Sequence, residues 1–171
     1  MPVLETPFAQ LQLIRQPEQQ NEPLQAFDAA DEYLLNHLAE QGLPSGSRVL
    51  VLNDSFGALA ISLVSTMDVT SSSDSCLAIQ ALEKNLTRNH LAFDAVTPAS
   101  EPLVGPFDCV LIKVPKTLAL LEEQLIRLQG QLVPGTPVIA GAMVKHLPRA
   151  AGDLLERYIG PVQASLAVKK A

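Results

Sequence analysis

One short run limits this chain more than any other: Arg48-Val49-Leu50-Val51-Leu52-Asn53, aliphatic at its centre and bounded by turn formers. Consecutive aliphatic residues leave no polar face, so a strand built on them is covered on both sides, as in a parallel sheet. Asp54-Ser55-Phe56-Gly57 turns the chain, and a helical stretch from Ala58 to Ser65 follows at once. Strand, tight turn and helix together open a βαβ unit.

The pattern recurs along the chain. Helices are expected from about Pro23 to Glu40, Cys76 to Asn89, Thr117 to Leu128 and Pro148 to Tyr158, with apolar residues at three- and four-residue steps. Between them lie expected strands at Met67 to Ser73, Ala92 to Val96, Phe107 to Ile112, Pro137 to Ala142 and Gln163 to Lys169. Phe8, Leu11, Leu13 and Ile14 suit a short strand or docking arm within residues 1–22, and the domain proper is expected over 23–171. The fold class is therefore α/β, a mostly parallel sheet of six to seven strands flanked by helices.

The chain has 171 residues, enough for one domain to fold without a metal or disulfide. Its net charge is −6, spread unevenly. Residues 1–80 hold ten acidic and two basic side chains, whereas 81–171 hold eight acidic and ten basic. An acidic domain repels a phosphate backbone, so the chain is expected to be a poor stand-alone nucleic-acid binder, with room for a local basic patch only in the second part. No apolar stretch reaches the ~20 residues of a membrane span and no basic-then-apolar leader opens the chain, so cytoplasm is expected, with no membrane partner.

Metal, triad and P-loop chemistry find no support. Cys76 and Cys109 form no CxxC pair, and His37, His90 and His146 stand far apart. G-x-S-x-G and the P-loop glycines are absent.

Three loops lie where an open α/β sheet binds ligands, beyond the carboxyl ends of its strands. The turn Asn53, Asp54, Ser55, Phe56, Gly57 is either a nucleotide-like pocket or a plain strand-to-helix turn needing one permissive glycine. Asp74 stands twenty positions after Asp54, the spacing of a ribose-binding acid, and equally suits a helix cap. Lys113, Val114, Pro115 and Lys116 follow the Phe107–Ile112 strand, where two lysines meet either phosphate or solvent, with Glu122 and Glu123 nearby.

The residues also carry a resemblance. Pro23 to Leu35 (PLQAFDAADEYLL), Leu52 to Leu59 (LNDSFGAL) and above all Val110 to Glu122 (VLIKVPKTLALLE) resemble the large subunit methyltransferase G / small subunit methyltransferase C family of ribosomal RNA methyltransferases. Ile139-Ala140-Gly141-Ala142 and Leu166 to Ala171 extend the match over nearly the whole chain. The resemblance implies a Rossmann-like, S-adenosylmethionine-dependent methyltransferase fold, present in this family as two tandem halves. It places this chain as the amino-terminal half, a degenerate copy without a cofactor site, whose partners are the catalytic carboxy-terminal half and large-subunit ribosomal RNA.

In an active half, an Asn-Pro-Pro-aromatic motif follows the fourth strand. Its Asn side chain and a prolyl carbonyl accept hydrogen bonds from the target guanine amine, and its ring stacks on the flipped base. Here Lys113-Val114-Pro115-Lys116 stands in its place, and the first turn has one glycine. No catalytic residue is therefore expected, no cofactor is expected on this chain, and S-adenosylmethionine belongs to the parent enzyme. Lys113, Lys116, Lys145, Arg149, Lys169 and Lys170 are the candidate RNA contacts. Two alternatives stand beside this expectation: a competent small methyltransferase that binds S-adenosylmethionine at Asn53–Gly57 and Asp74, and a structural module that only stabilises the catalytic half.

Overall fold

The computed structural model describes residues 3–5, 7, 10–12, 28–54, 57–63, 67–73, 76–89, 96–98, 106–115, 117–129, 131–132, 135–143 and 148–160. Their elements run β1 (Val3–Glu5), β2 (Gln10–Gln12), α1 (Ala29–Gln41), β3 (Arg48–Leu52), α2 (Ala58–Leu63), β4 (Asp68–Ser73), α3 (Cys76–Arg88), β5 (Val96–Pro98), β6 (Cys109–Lys113), α4 (Leu118–Leu128), β7 (Val138–Gly141) and α5 (Arg149–Tyr158).

The main sheet has five strands in the order β5-β4-β3-β6-β7, all parallel. Among the described residues β1 and β2 pair with each other, antiparallel, where a short strand or docking arm is expected. Among the described residues the sheet thus holds five strands, where six to seven are expected. The candidate strand at Gln163–Lys169 lies outside the described residues.

Side-chain alternation builds a layer on each face of the sheet. Val49 and Val51 of β3 join Cys109 and Leu111 of β6 in one cluster, packed under α1, α2 and α3 through Leu34, Leu35, Leu38, Leu59, Ile61 and Leu82. Leu50, Leu52, Val110 and Ile112 point the other way, onto Leu121, Leu125 and Leu128 of α4 and Ala151 of α5. Burial of both faces explains why β3 and β6 read as unbroken apolar runs.

Two expected boundaries shift for local reasons. Apolar spacing predicts α1 from about Pro23, yet Asp28 is extended (φ −132°, ψ −179°) and serves as its N-cap, so the helix begins at Ala29. Asp28 Oδ1 accepts from Asp31 N and Asp31 Oδ2 accepts from Asp28 N, each at 3.0 Å, a reciprocal capping box. Residues 23–27 lie outside the described residues. The expected Phe107–Ile112 strand starts two residues later, at Cys109. Phe107 instead makes a single parallel bridge to Leu132 and buries its ring.

Candidate crevice at the switch point

From β3 the chain builds outward through β4 to β5, and from β6 it builds the other way to β7. Strand order therefore reverses between β3 and β6, and a ligand crevice of this fold opens beyond their carboxyl ends. Asn53 and Asp54 follow β3, and Lys113 closes β6, so the first and third loops named from the sequence follow the two strands between which the order reverses.

Among the described residues, polar groups of the chain pair with one another at this edge. Asn53 takes φ +66°, a left-handed backbone that asparagine tolerates better than most residues. Its amide N–H donates to the Ser72 carbonyl at 3.1 Å, across to β4. Its side chain then bridges β3, β6 and α4. Nδ2 donates to the Lys113 carbonyl at 3.0 Å and to Gln124 Oε1 at 2.9 Å, while Gln124 Nε2 donates back to Asn53 Oδ1 at 2.8 Å. Gln124 is 4% exposed, so this two-way amide pair is sheltered from water and strong for its kind.

Lys113 seals the other side. Its side chain is 13% exposed, and Nζ lies 3.1 Å from Asp31 Oδ1 and 3.4 Å from Asp28 Oδ2. Asp31 Oδ1 has no aligned hydrogen-bond donor, so the contact with Nζ acts through charge. This corrects the expectation of a solvated lysine beside Glu122 and Glu123. Lys113 turns inward, to carboxylates more than eighty residues earlier in the chain.

Asp54, also buried, accepts from Ala60 N at 3.0 Å and from Leu59 N at 3.4 Å, capping the start of α2. Gly57 takes φ +91°, a backbone that side-chain-bearing residues rarely adopt, so glycine is needed here for its conformation.

Two carboxylates thus face one ammonium, Asp54 adds its charge from nearby, and burial is the largest influence on their titration. Burial, with the nearby charges of Asp28 and Asp54 adding to it against the pull of Lys113, pushes the Asp31 carboxyl up to about 7. Burial also raises Asp54, against its backbone hydrogen bonds. Asp28, half-exposed, pays a smaller burial penalty, and the Lys113 charge brings its carboxyl below the ordinary range. Burial alone would lower the Lys113 ammonium, yet Asp31, Asp28 and Asp54 hold it above its ordinary value.

The remaining candidates fall in several places. Val114 and Pro115 continue from β6, half-buried, and Val114 packs against the α4/α5 cluster. Arg149 is exposed as the first residue of α5. Ser55, Phe56, Asp74, Lys116, Lys145, Lys169 and Lys170 lie outside the described residues. Cys109 is buried in the core, which pushes its thiol up to about 12 and keeps it protonated.

Sequence reasoning missed Asp28, Asp31 and Gln124. The acid pair ahead of an apolar run has capping-box spacing, a signal present in the sequence alone. Gln124 stands at core spacing with Leu121, Leu125 and Leu128, and a polar residue at a core position marks a specific partner.

Two clefts lie elsewhere among the described residues. One, about 600 Å³, runs along the outer side of α1 between Pro7, Tyr33 and His37; the other, about 330 Å³, sits between α4 and α5. Neither is lined by Asn53, Asp54 or Lys113.

Comparison with known proteins places this arrangement. A Thermus thermophilus 16S rRNA N2 methyltransferase, solved with AdoMet and guanosine, shares the fold at a TM-score of 0.71, with 22% identity over 92% of this chain and 45% of that one. A putative methyltransferase from Streptococcus mutans superposes with a TM-score of 0.65 at 12% identity, covering 94% of this chain and 46% of that one. In sequence, the chain is 82% identical to ribosomal RNA large subunit methyltransferase G of Pseudomonas fluorescens strain Pf0-1 and 72% identical to that of Stutzerimonas stutzeri, in full in both cases. It spans only 46% of the length of each of these relatives. The family model described as the RLMG N-terminal domain matches residues 1–171, and the chain belongs to that family.

Proposed function

We propose that this chain is the non-catalytic amino-terminal half of an S-adenosylmethionine-dependent 23S ribosomal RNA guanine-N2 methyltransferase of the cytoplasm. Residues 1–22 form its arm and 23–171 its degenerate methyltransferase-like domain. It supports the binding of ribosomal RNA and the catalytic half of the same protein. The observation that carries this is the side chain of Asn53, locked to Gln124 and to the Lys113 carbonyl at the switch point, in a chain of the RLMG N-terminal domain family.

The described residues do not fit S-adenosylmethionine. The Asn53–Gln124 pair spans from β3 to α4, and the one glycine of the turn after β3, Gly57, leaves Asn53 and Asp54 with side chains where a cofactor would need close backbone approach. That counts against a competent small methyltransferase. A purely structural module would present a broad apolar face, yet among the described residues Ile126, 48% exposed, is the one large apolar side chain open to solvent.

The pairing of the Lys113 ammonium with Asp28 and Asp31 counts against its use as an RNA contact. The proposal keeps Lys116, Lys145, Arg149, Lys169 and Lys170. The test replaces these five with glutamate in the full-length protein and measures ribosomal RNA affinity against salt. Weaker binding is expected, with a log–log salt slope shallower by about 0.7–0.9 for each phosphate no longer neutralised. Unchanged affinity and slope would remove RNA docking from the role of this half.

A further inference from the structure

We infer that Lys113 is a built-in cationic ligand, whose ammonium occupies the crevice at the switch point and ties the start of α1 to the end of β6. The inference deepens the non-catalytic reading, and its test does not depend on cofactor binding.

The division of oxygens carries it. The capping box uses one oxygen from each acid: Asp28 Oδ1 takes Asp31 N–H and Asp31 Oδ2 takes Asp28 N–H. The two oxygens left over, Asp28 Oδ2 and Asp31 Oδ1, are the two that face Nζ. Both carboxylates are therefore held in place by the helix start before any cation arrives. Such a preformed acceptor pair loses little entropy on binding, which is what makes a ligand site effective. Asp54 adds negative charge from the turn after β3. α1 also packs against β6 and β7, so the ion pair closes a layer already in contact.

A ligand carried on a side chain can be exchanged for one in solution. Lys113→Ala removes three carbons and the ammonium, a fragment matching n-propylammonium. The variant is expected to melt at a lower temperature than the parent chain. Titrating n-propylammonium chloride should then raise its midpoint saturably, by about 2–4 °C. Sodium chloride and n-propanol at equal concentration should not do so, nor should the amine act on the parent chain. Asp31→Asn in the Lys113→Ala background should abolish the response. An amine effect no larger than that of sodium chloride would overturn the inference.

Should Lys113→Ala fail to fold, the unaltered chain decides the matter. Under reductive methylation read by mass spectrometry, Lys113 should react at least about ten-fold more slowly than Lys84, exposed on α3. Equal rates would show an ammonium open to solvent and overturn the inference as firmly.

Discussion

Lys113→Met is expected to cost the fold about 1–3 kcal/mol, because it leaves the buried Asp31 and the half-exposed Asp28 facing each other at the helix start with no cation between them. Methionine nearly preserves the length and volume of the side chain, so packing loss is minor and the deficit is electrostatic. Asp31→Asn added to Lys113→Met removes the more deeply buried carboxylate along with the ammonium. That double variant should be more stable than Lys113→Met alone, since removing both partners of a buried pair is far milder than orphaning one. Chemical denaturation midpoints of the three proteins check this directly. A Lys113→Met variant within about 0.5 kcal/mol of the parent chain, the range of ordinary surface changes, would mean that the ion pair is a surface ornament.

Asn53→Leu is the second large effect, about 3–5 kcal/mol in sum. Part is backbone strain, since leucine must take the left-handed φ of +66°. The rest is desolvation: Gln124 loses a partner at each end of its amide, and the Lys113 carbonyl loses the Asn53 donor. Asn53→Gly separates the two, because glycine adopts this φ freely and forfeits only the hydrogen bonds. Glycine should therefore be the milder substitution. If Asn53→Gly proved as damaging as Asn53→Leu, the backbone conformation would contribute nothing, and the amide pair would account for the whole loss.

The sheet was legible because its central strands are buried on both faces, and burial writes itself into sequence as unbroken aliphatic runs. Val49 to Leu52 and Val110 to Ile112 needed no tertiary information to be recognised. The peripheral strands were harder. β1 and β2 are three residues each, too short for alternation to stand out, and β5 is equally short. The position of the crevice was legible too, since it follows from the turn after β3 and the end of β6.

Its contents were not. Lys113 reads as a surface cation because its local neighbours are Pro115, Lys116, Glu122 and Glu123. Its real partners lie 82 to 85 positions away and come near only when α1 packs across the sheet. Asn53 and Gln124 are separated by 71 positions, and neither residue alone announces a pair. A polar residue inside an otherwise leucine-lined helix face was the one local sign that α4 buries something besides hydrocarbon.

Calorimetric titration of the 171-residue chain with S-adenosylmethionine tests the non-catalytic reading most directly. With the protein shown folded by circular dichroism, no saturable heat is expected, because Asn53 and Gln124 are locked to each other and Lys113 to Asp28 and Asp31. Saturable binding at micromolar strength would contradict this, and would return the turn after β3 to the status of a working cofactor site.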